Sequence, residues 1–359
     1  MDVLLHPLRR LPEYRAASKV SGSHKIEIVG GGLAGLSLGL ALRHADIPVT
    51  IFENGTYPRH RVCGEFITGL ASSTIENLRL APLLSDALSH AEMAWFNGSD
   101  APRIHRLPSP ALGLSRFALD ARLADAFTAA GGELKTGTRV TDLTPRPGRV
   151  VATGRRVGKS PWLGLKIHVR DLSLLRALEF HLGDHAYVGL SKVEDGAVNV
   201  CGLFKRRRLS AHGADLIYAY LNAAGLTGLA AKLQSAQVDG PSFCSVAAVD
   251  FDRRVSGEVG AVLGDRRAMT PPFTGNGMAM AFQSAEIALA PLIAYARCET
   301  NWNKTCATIH RAQARLFRVR LASAHLVHPY LLQPSRQRWL ATLDRVRLLP
   351  FRPLYSALH

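Results

Sequence analysis

A glycine-rich segment near the N-terminus constrains the fold more than any other feature. Residues 25–30 (KIEIVG) form the short β-branched run typical of a buried parallel strand, and they lead directly into GGGLAGLSLGLALRH. The glycines fit the pattern G-x-G-x-x-G, which allows a tight turn, close approach to a diphosphate and close packing of helix on strand. We therefore predict a strand, a turn and a helix over residues 33–44 that presents its first N–H groups to a phosphate. The predicted cofactor contacts here are Gly30, Gly32, Leu33, Ala34 and Gly35.

An acidic residue follows at the distance expected for a dinucleotide site. Residues 49–52 (VTIF) predict a second strand, and Glu53 stands at its end, about 20 residues beyond the glycines. Its carboxylate would accept hydrogen bonds from both ribose hydroxyls of an adenosine, and its charge would repel a 2′-phosphate. This pattern favours FAD or NAD over NADP at this position. The alternative is a glycine-rich turn followed by an ordinary acidic strand end.

The composition fits one compact enzyme. The 359 residues are 47% apolar and 20% charged, which is typical of a soluble globular protein and not of a disordered chain. Arg, His, Asp or Pro interrupts every hydrophobic run before the roughly 18 residues that a membrane span needs, so we predict no transmembrane helix. Residues 1–24 lack the apolar centre and cleavage site of a signal peptide, so a cytoplasmic location is expected.

The charge and the cysteines exclude other classes of protein. The chain has 44 Lys and Arg against 28 Asp and Glu, a net charge of +16, which would attract nucleic acid, anionic lipid or acidic substrates. Basic runs do not alternate with aromatic residues, and residues 206–208 are an isolated arginine cluster, so we predict no specific nucleic-acid binding. Five cysteines without paired spacing indicate reduced thiols and no metal site.

Two further segments carry a resemblance to a known family. Residues 57–66 read YPRHRVCGEF, and residues 262–289 contain VLGDRR followed by PPFTGNGMAMAF. With the glycine-rich start, they resemble the geranylgeranyl reductase-like branch of FAD-dependent oxidoreductases, relatives of the para-hydroxybenzoate hydroxylase-type monooxygenases. In that family the first loop is similar to PR-x-K-x-CGE and the second to a G-D segment followed by P-F-T-G-x-G and a helix. The resemblance spans nearly the whole chain and implies FAD as cofactor, with NAD(P)H as a transient electron donor.

The second segment also has a physical interpretation. An apolar strand ends at Asp265, and a turn then opens an apolar helix. The resemblance implies that Asp265 binds the ribityl chain and that the N–H groups around Gly275, Asn276 and Gly277 face the flavin pyrimidine ring. A helix N-terminus there would stabilise the negative charge of reduced flavin. The alternative for Asp265 is a helix cap or turn residue.

Three arginines are further cofactor candidates. Arg59 and Arg61 in the first loop could reach a diphosphate or the adenosine ribose, or they could be exposed loop residues; Arg61 is the preferred candidate. Residues 115–127 (SRFALDARLADAF) resemble the family's R-x-x-x-D-x-x-L helix start, which implies that Arg116 lies beside the cofactor. Asp120 is expected to favour the first helical turn electrostatically.

Few side chains are candidates for catalysis, because a flavin would carry the redox chemistry. Cys63 is the first candidate: the resemblance places CGE near flavin and substrate, where a thiol could shape the pocket or relay a proton. The alternative is an inert buried thiol. His168 could act as acid or base, but a core or surface histidine is the preferred interpretation.

These elements predict an α/β fold in which a Rossmann-like FAD-binding domain is interleaved with an antiparallel-sheet substrate domain. The strand-like runs WLGLKIHVR, YVGLSKV, AVNVCGLF and SFCSVAAV would form the substrate sheet. The predicted FAD-binding parts are residues 24–95, 113–158 and 251–299, the substrate lobe is 96–112 and 159–250, and the C-terminal helical region is 300–359.

The C-terminal region is Arg-rich, with apolar residues at helical spacing. We predict that Leu316, Val319 and Leu326 pack this region across the surface of the protein. Its basic face could instead make a peripheral contact with anionic lipid. The sequence predicts no particular oligomeric state.

Three enzymatic classes fit these motifs. They are an FAD monooxygenase acting on a hydrophobic or aromatic small molecule, a flavin-dependent reductase that saturates isoprenoid double bonds, and a flavin halogenase. Residues 150–154 (VVATG) continue as RRVGKSPW, which departs from the A-D-G-x-x-S-x-x-R pattern of aromatic hydroxylases and leaves the electron donor open. The halogenase W-x-W-x-I-P segment is absent from the sequence, which disfavours that class. A basic, non-catalytic nucleotide-binding scaffold is the further alternative.

Overall fold

The computed structural model describes residues 23–98, 101–156, 158–251, 260–346, 348 and 350–359. Residues 1–22 lie outside the described residues. They include most of the stretch that was predicted above not to be a signal peptide. The described chain forms two sheets, with helices around the first and a helical C-terminal region. The α/β architecture predicted from the sequence is confirmed.

The first sheet has five parallel strands and carries the glycine-rich turn. Its bounds are β1 Ile26–Val29, β2 Val49–Phe52, β6 Glu133–Lys135, β7 Arg149–Val151 and β13 Ala261–Val262, in the order β13-β7-β1-β2-β6. Ile28 lies between Ile51 and Val150 in register and is fully buried. Such strands are covered on both faces and therefore read as continuous apolar runs.

Three helices cover this sheet and hold the larger hydrophobic core. They are α1 (Leu33–Arg43), α3 (Arg116–Ala129) and α6 (Gly277–Ala296), and α1 packs against both of the others. Helix α6 is the one described helix long and apolar enough to cross a membrane. Two thirds of its most apolar window is buried inside the protein, where it acts as a core helix.

The second sheet has eight strands. Its bounds are β3 Phe66–Ile67, β4 Leu88–Asn97, β5 Arg103–Gly113, β8 Trp162–Arg170, β9 Leu178–Gly183, β10 Ala186–Lys192, β11 Val198–Lys205 and β12 Gln237–Ala247, in the order β12-β8-β11-β10-β9-β4-β5-β3. The short helices α4 (Asp215–Ala223) and α5 (Thr227–Gln234) pack against one face of this sheet, whereas the short helix α2 (Ser72–Asn77) packs against α6 of the first core.

The four predicted strand runs, which form β8, β10, β11 and β12, pair antiparallel as expected, but one pairing elsewhere in the sheet is parallel. Strands β4 and β9 pair in parallel, with Ala94 opposite Glu179. A hairpin forces neighbouring strands to be antiparallel, whereas β4 and β9 are separated by a long excursion through the first sheet, so either direction is available to them. Strand β3 and most of β4 fall within residues 24–95, which were predicted as FAD-binding, although both strands belong to this second sheet.

The C-terminal helices α7 (Trp302–Leu332), α8 (Pro334–Arg345) and α9 (Phe351–Leu358) pack across both sheets. The prediction of the packed face of α7 was wrong. Val319 is 59% exposed and Leu326 72% exposed, and Leu316 is only half-buried. The buried face follows Ile309, Gln313, Phe317, Arg320, Ala324 and His328. Three of these six side chains are polar, so the apolar spacing pointed to the neighbouring, exposed face.

This assignment predicts a large effect for one substitution on α7 and a small effect for another. Phe317→Ala should lower the free energy of unfolding by about 3–5 kcal/mol, because it empties a buried aromatic site. Leu326→Ala should change it by less than about 0.5 kcal/mol, because the side chain already contacts water. Urea denaturation of both variants measures the difference. Equal losses would contradict the orientation of α7.

Candidate active site

A cleft of about 1320 Å³ is lined by residues of both sheets and of the helices around the first, and it collects most of the predicted site residues. Those that line it are Gly30, Gly32, Leu33, Ala34, Glu53, Arg61, Cys63, Arg116, Asp265, Gly275 and Gly277. Gly35 and Asn276 do not line it. Two helix starts that are remote in sequence, those of α1 and α6, therefore open onto one continuous space.

The glycines at the first helix start are required by close contacts. Gly30 has φ +111°, and a Cβ added there would lie 2.3 Å from the carbonyl oxygen of Ala152. A Cβ at Gly35 would lie 2.0 Å from the carbonyl oxygen of Gly30. Gly35 therefore allows α1 to pack closely on β1. Gly32 has nothing within 4 Å of its Cβ position, so this part of the cleft is open space.

Glu53 is held firmly at the end of β2. Its Oε2 accepts the N–H of Gly31 at 2.8 Å, and its Oε1 accepts the N–H of Gly55 at 2.9 Å and a guanidinium hydrogen of Arg59. A carboxylate has about four acceptor sites, so about one remains on Oε2. The prediction that Glu53 binds ribose hydroxyls stays a prediction, with room for one hydroxyl unless Arg59 moves.

Asp120 ties the two predicted arginines together. Arg116 donates to both of its oxygens, from Nε at 2.7 Å and from Nη2 at 2.8 Å, and Arg61 Nε donates to Oδ2 at 2.9 Å. Asp120 is fully buried and lies beyond the first turn of α3, so the expectation of a first-turn electrostatic role was wrong. Burial alone would lower the pKa of Arg116, but the adjacent Asp120 carboxylate raises it overall.

Several buried donors in the cleft fit a diphosphate. Arg59 Nε, Arg61 Nη2 and Arg155 Nη1 are buried and have no hydrogen-bond acceptor within the described part of the chain. Buried donors normally have partners, and phosphate oxygens are strong acceptors for arginine. Together with the N-terminus of α1, these donors form a site whose chemistry suits the anionic centre of FAD.

The second helix start has a more mixed geometry. Burial raises the pKa of Asp265 although Arg116 and Arg155 lie nearby. Asn276 is fully buried, and its side-chain amide donates to the carbonyl of Leu358 in α9, away from the cleft. The backbone N–H groups of Gly275 and Asn276 donate to Pro272 O and Thr274 Oγ1. Gly277 is the first residue of α6, so its N–H has no acceptor within the helix.

Solved structures share this architecture. PqsL, a probable FAD-dependent monooxygenase from Pseudomonas aeruginosa, superimposes with a TM-score of 0.66 at 16% identity over 89% of this chain and 100% of its own. The flavin-dependent brominase Bmp2 gives 0.70 at 16% identity over 93% and 94%. A geranylgeranyl bacteriochlorophyll reductase-like protein from Thermoplasma acidophilum gives 0.69 at 13% identity over 89% and 90%. The chain has the FAD-dependent monooxygenase fold. No family model and no curated protein matches it.

In this FAD-dependent monooxygenase fold, Cys63 lines the cleft but has the properties of an inert thiol. Burial raises the pKa of Cys63, with Arg116 opposing the shift, so the thiol stays protonated near neutral pH. A protonated thiol is a weak nucleophile. The structure therefore favours the alternative of an inert thiol over a thiol that relays a proton.

His168 does not line the cleft. Its Nε2 hydrogen-bonds Glu65 Oε2, and Glu65 is fully buried. The preferred interpretation, a core histidine, describes this position. Sequence reasoning missed three partners of His168 and its cluster: Glu65, Lys166 and His60. The one sequence signal that could have identified this cluster was that Glu65 belongs to the CGE segment.

His328 of α7 belongs to an aromatic cluster that lies between this helix and the second sheet. His328 lies within ring-contact distance of Tyr187, Phe251 and Phe273, and burial lowers its pKa to about 4, with His325 adding to the shift. The folded protein therefore binds fewer protons here than the unfolded chain, whose histidine titrates near 6.5. The free energy of unfolding should therefore fall by up to about 3 kcal/mol as the pH is lowered from 6.5 towards 4.

The His328→Phe variant tests this pH dependence, because phenylalanine keeps an aromatic ring in the cluster but does not titrate. We expect the free energy of unfolding of the variant to fall less steeply between pH 6.5 and pH 4 than that of the parent. Urea denaturation at several pH values measures both slopes. Identical slopes would show that His328 is not the buried neutral group.

Proposed function

We propose that the chain is an FAD-dependent oxidoreductase, and that it acts as a monooxygenase on a hydrophobic or aromatic small molecule. The observation that carries the proposal is the meeting of the α1 and α6 helix starts in one cleft that also holds buried arginine donors without acceptors. FAD would supply hydride acceptance and, once reduced, the reaction with O2 from which a monooxygenase takes one oxygen atom.

The residues of the chain have distinct tasks in this proposal. The N-terminus of α1, with Arg61 and Arg116, holds the diphosphate, and Glu53 accepts a ribose hydroxyl. Asp265 lies beside the ribityl chain, and the N-terminus of α6 stabilises negative charge on the ring system. The cleft walls near α6 carry Phe66, Val246, Met269, Met278 and Ala281, which exclude water and favour an apolar substrate.

A monooxygenase is preferred to a reductase because the structurally similar PqsL is described as a probable FAD-dependent monooxygenase. PqsL is also known in complex with 2-aminobenzoylacetate, an aromatic compound. The reductase alternative, saturation of isoprenoid double bonds, rests on the similar Thermoplasma acidophilum protein. A non-catalytic nucleotide-binding scaffold is the remaining alternative.

NAD(P)H is the proposed electron donor. Besides Arg61 and Arg116, the cleft is lined by Arg139, Arg155, Arg156 and Arg266, which is more positive charge than one diphosphate requires. The experiment is to mix FAD-loaded protein with NADH or NADPH without oxygen and to follow the flavin absorbance. Bleaching supports an oxidoreductase; a flavin that stays oxidised with both donors and with dithionite-reduced mediators supports the scaffold.

The two enzymatic alternatives differ in their products. With a panel of aromatic and isoprenoid compounds, NAD(P)H and isotopically labelled O2, a monooxygenase places one labelled oxygen atom in the product. A reductase gives a product with two added hydrogens and no label, and it works without oxygen. Mass spectrometry of the products separates them.

Peripheral contact between residues 300–359 and anionic lipid is a secondary part of the proposal, as is a cytoplasmic location. Exposed apolar side chains on α7 and α8, such as Leu326 and Trp339, lie on helices that also expose Arg318 and Arg338. Lipid binding through such a surface depends on salt. Sedimentation with anionic vesicles at low and high salt tests it, and a lack of salt-sensitive binding would remove it.

A further inference from the structure

A buried polar cluster links the loop of residues 57–66 to strand β8. Lys166 and Glu65 are both fully buried, and Lys166 Nζ lies 3.5 Å from Glu65 Oε1. Glu65 also accepts the backbone N–H of Arg116 at 3.1 Å and contacts His168 through its other oxygen. Buried charges are costly unless they are paired, so this cluster indicates a task beyond holding the loop in place.

The cluster reaches the cleft through His60. Lys166 Nζ lies 3.0 Å from His60 Nδ1, and the His60 ring stacks on Phe117 with centroids 4.4 Å apart. The loop alternates in direction: Arg59 and Arg61 point to Glu53 and Asp120 in the first domain. His60 points the other way, towards the second sheet.

His60 lies on the wall of the cleft that the second sheet forms. His60 lines the cleft together with Cys244, Ser245 and Val246 of β12. Cys244 lies directly opposite Lys166 across the β8–β12 pairing. His60 thus belongs to the wall that a substrate would meet, and its neighbours Arg59 and Arg61 belong to the cofactor side.

The contact with Lys166 fixes the tautomer of His60. A lysine ammonium has only donors, so His60 Nδ1 must accept, and the ring hydrogen must then be on Nε2. Burial and the Lys166 charge lower the pKa of His60 to about 4, so the ring is neutral at physiological pH. No hydrogen bond from His60 Nε2 is found within the described residues, and His60 lines the cleft.

We propose that His60 is a substrate-binding residue whose Nε2–H donates a hydrogen bond to an anionic oxygen, a carboxylate or phenolate, of an aromatic substrate. Lys166 is a positioning residue that fixes the donor tautomer, and Glu65 balances its charge. This inference rests on the proposed function, because it assumes that an aromatic molecule enters the cleft beside the flavin. It adds that the molecule carries an anionic oxygen on the side of the second sheet.

The test uses FAD-loaded protein and two matched probes, 2-aminobenzoate and aniline, which differ by the carboxylate. Binding beside the flavin is followed through the change in flavin absorbance. His60→Phe keeps the stacking on Phe117 but loses the donor, and we expect it to weaken 2-aminobenzoate binding by about 10- to 100-fold. His60→Gln keeps a donor near the Nε2 position, and it should stay within about threefold of the parent. Aniline binding should be the same in all three proteins.

Three results would overturn the proposal. The first is a parent protein that binds the two probes equally or binds neither, and the second is an equal effect of His60→Phe on both probes. The third is a loss of FAD affinity in His60→Phe, which would place His60 on the cofactor. The FAD content of each protein separates these results from a failure of the proposed function, because protein that never takes up FAD contradicts that function itself.

The positioning role of Lys166 has its own variant. Lys166→Gln keeps an N–H donor for His60 Nδ1 and removes the charge. We expect it to retain the preference for 2-aminobenzoate over aniline, since the tautomer is preserved. Loss of that preference in a variant that still binds FAD would overturn the tautomer argument.

Discussion

Replacing Gly32 with glutamate is expected to abolish FAD binding and to leave the fold intact. The backbone of Gly32 has φ −89° and ψ −172°, a conformation open to any residue, and no atom lies within 4 Å of its Cβ position. The new carboxylate would occupy the N-terminus of α1, where the cofactor diphosphate should bind. We expect the Kd for FAD to rise at least about 100-fold, about 3 kcal/mol, as measured by equilibrium dialysis.

Gly30→Ala is the matched control for the same turn. Its Cβ would lie 2.3 Å from the Ala152 carbonyl oxygen, and φ +111° strains any residue with a side chain. This variant should lose folding stability, by at least about 2 kcal/mol, before it loses any specific contact with FAD. The thermal midpoint of Gly32→Glu without cofactor should match that of the parent. Normal FAD binding by Gly32→Glu would show that the diphosphate does not bind at the start of α1.

Removing the Asp120 carboxylate, which holds two arginines of the cleft wall, is expected to be strongly destabilising. Asp120 is fully buried and accepts hydrogen bonds from both Arg61 and Arg116. Asp120→Ala would leave two arginines close together without their acceptor, and breaking a buried ion pair in this way typically costs about 3–5 kcal/mol. Urea denaturation of protein without cofactor measures the loss.

An exposed pair of the same chemistry provides the control. Arg122 makes two hydrogen bonds to Asp86, and both side chains are partly exposed. Asp86→Ala should therefore cost less than about 1 kcal/mol, because water screens the pair and solvates the arginine that remains. Similar losses for Asp120→Ala and Asp86→Ala would contradict the buried position of Asp120.

The start of the first sheet was predictable from the sequence because its constraints are local. The glycine spacing and a β-branched run placed β1, α1 and β2 within one or two residues of their observed bounds. Each of these elements is decided by hydrogen bonds and contacts between neighbours in sequence, which a motif records directly. Four of the eight strands of the second sheet, β8, β10, β11 and β12, were also found, because their mixture of apolar and polar residues is a local pattern.

What escaped prediction depends on distant partners. The parallel pairing of β4 with β9 depends on the path of the chain through the first sheet. The buried face of α7 carries Gln313, Arg320 and His328, whose acceptance in the core depends on contacts from other elements. Arg320, for example, donates to Gln283 of α6. Periodicity of apolar residues alone cannot identify such a face.

The residues of the candidate site likewise divide into those that a local pattern identified and those that depend on distant partners. Gly30, Gly32 and Glu53 were identified by their spacing, and they line the cleft together. Lys166 was hidden in the strand run WLGLKIHVR, where a lysine ordinarily points to water. Its burial depends on Glu65 and His60, about a hundred residues earlier in the chain. No local pattern connects these three positions.

Amide hydrogen exchange of the full-length protein with and without FAD tests the central claim most directly. If one FAD molecule spans the cleft, its addition must slow exchange at the start of α1 and at the start of α6 together, with half-effects at the same FAD concentration. Slower exchange at the start of α1 alone, or at neither helix, would contradict a single adenine-flavin ligand that joins the two.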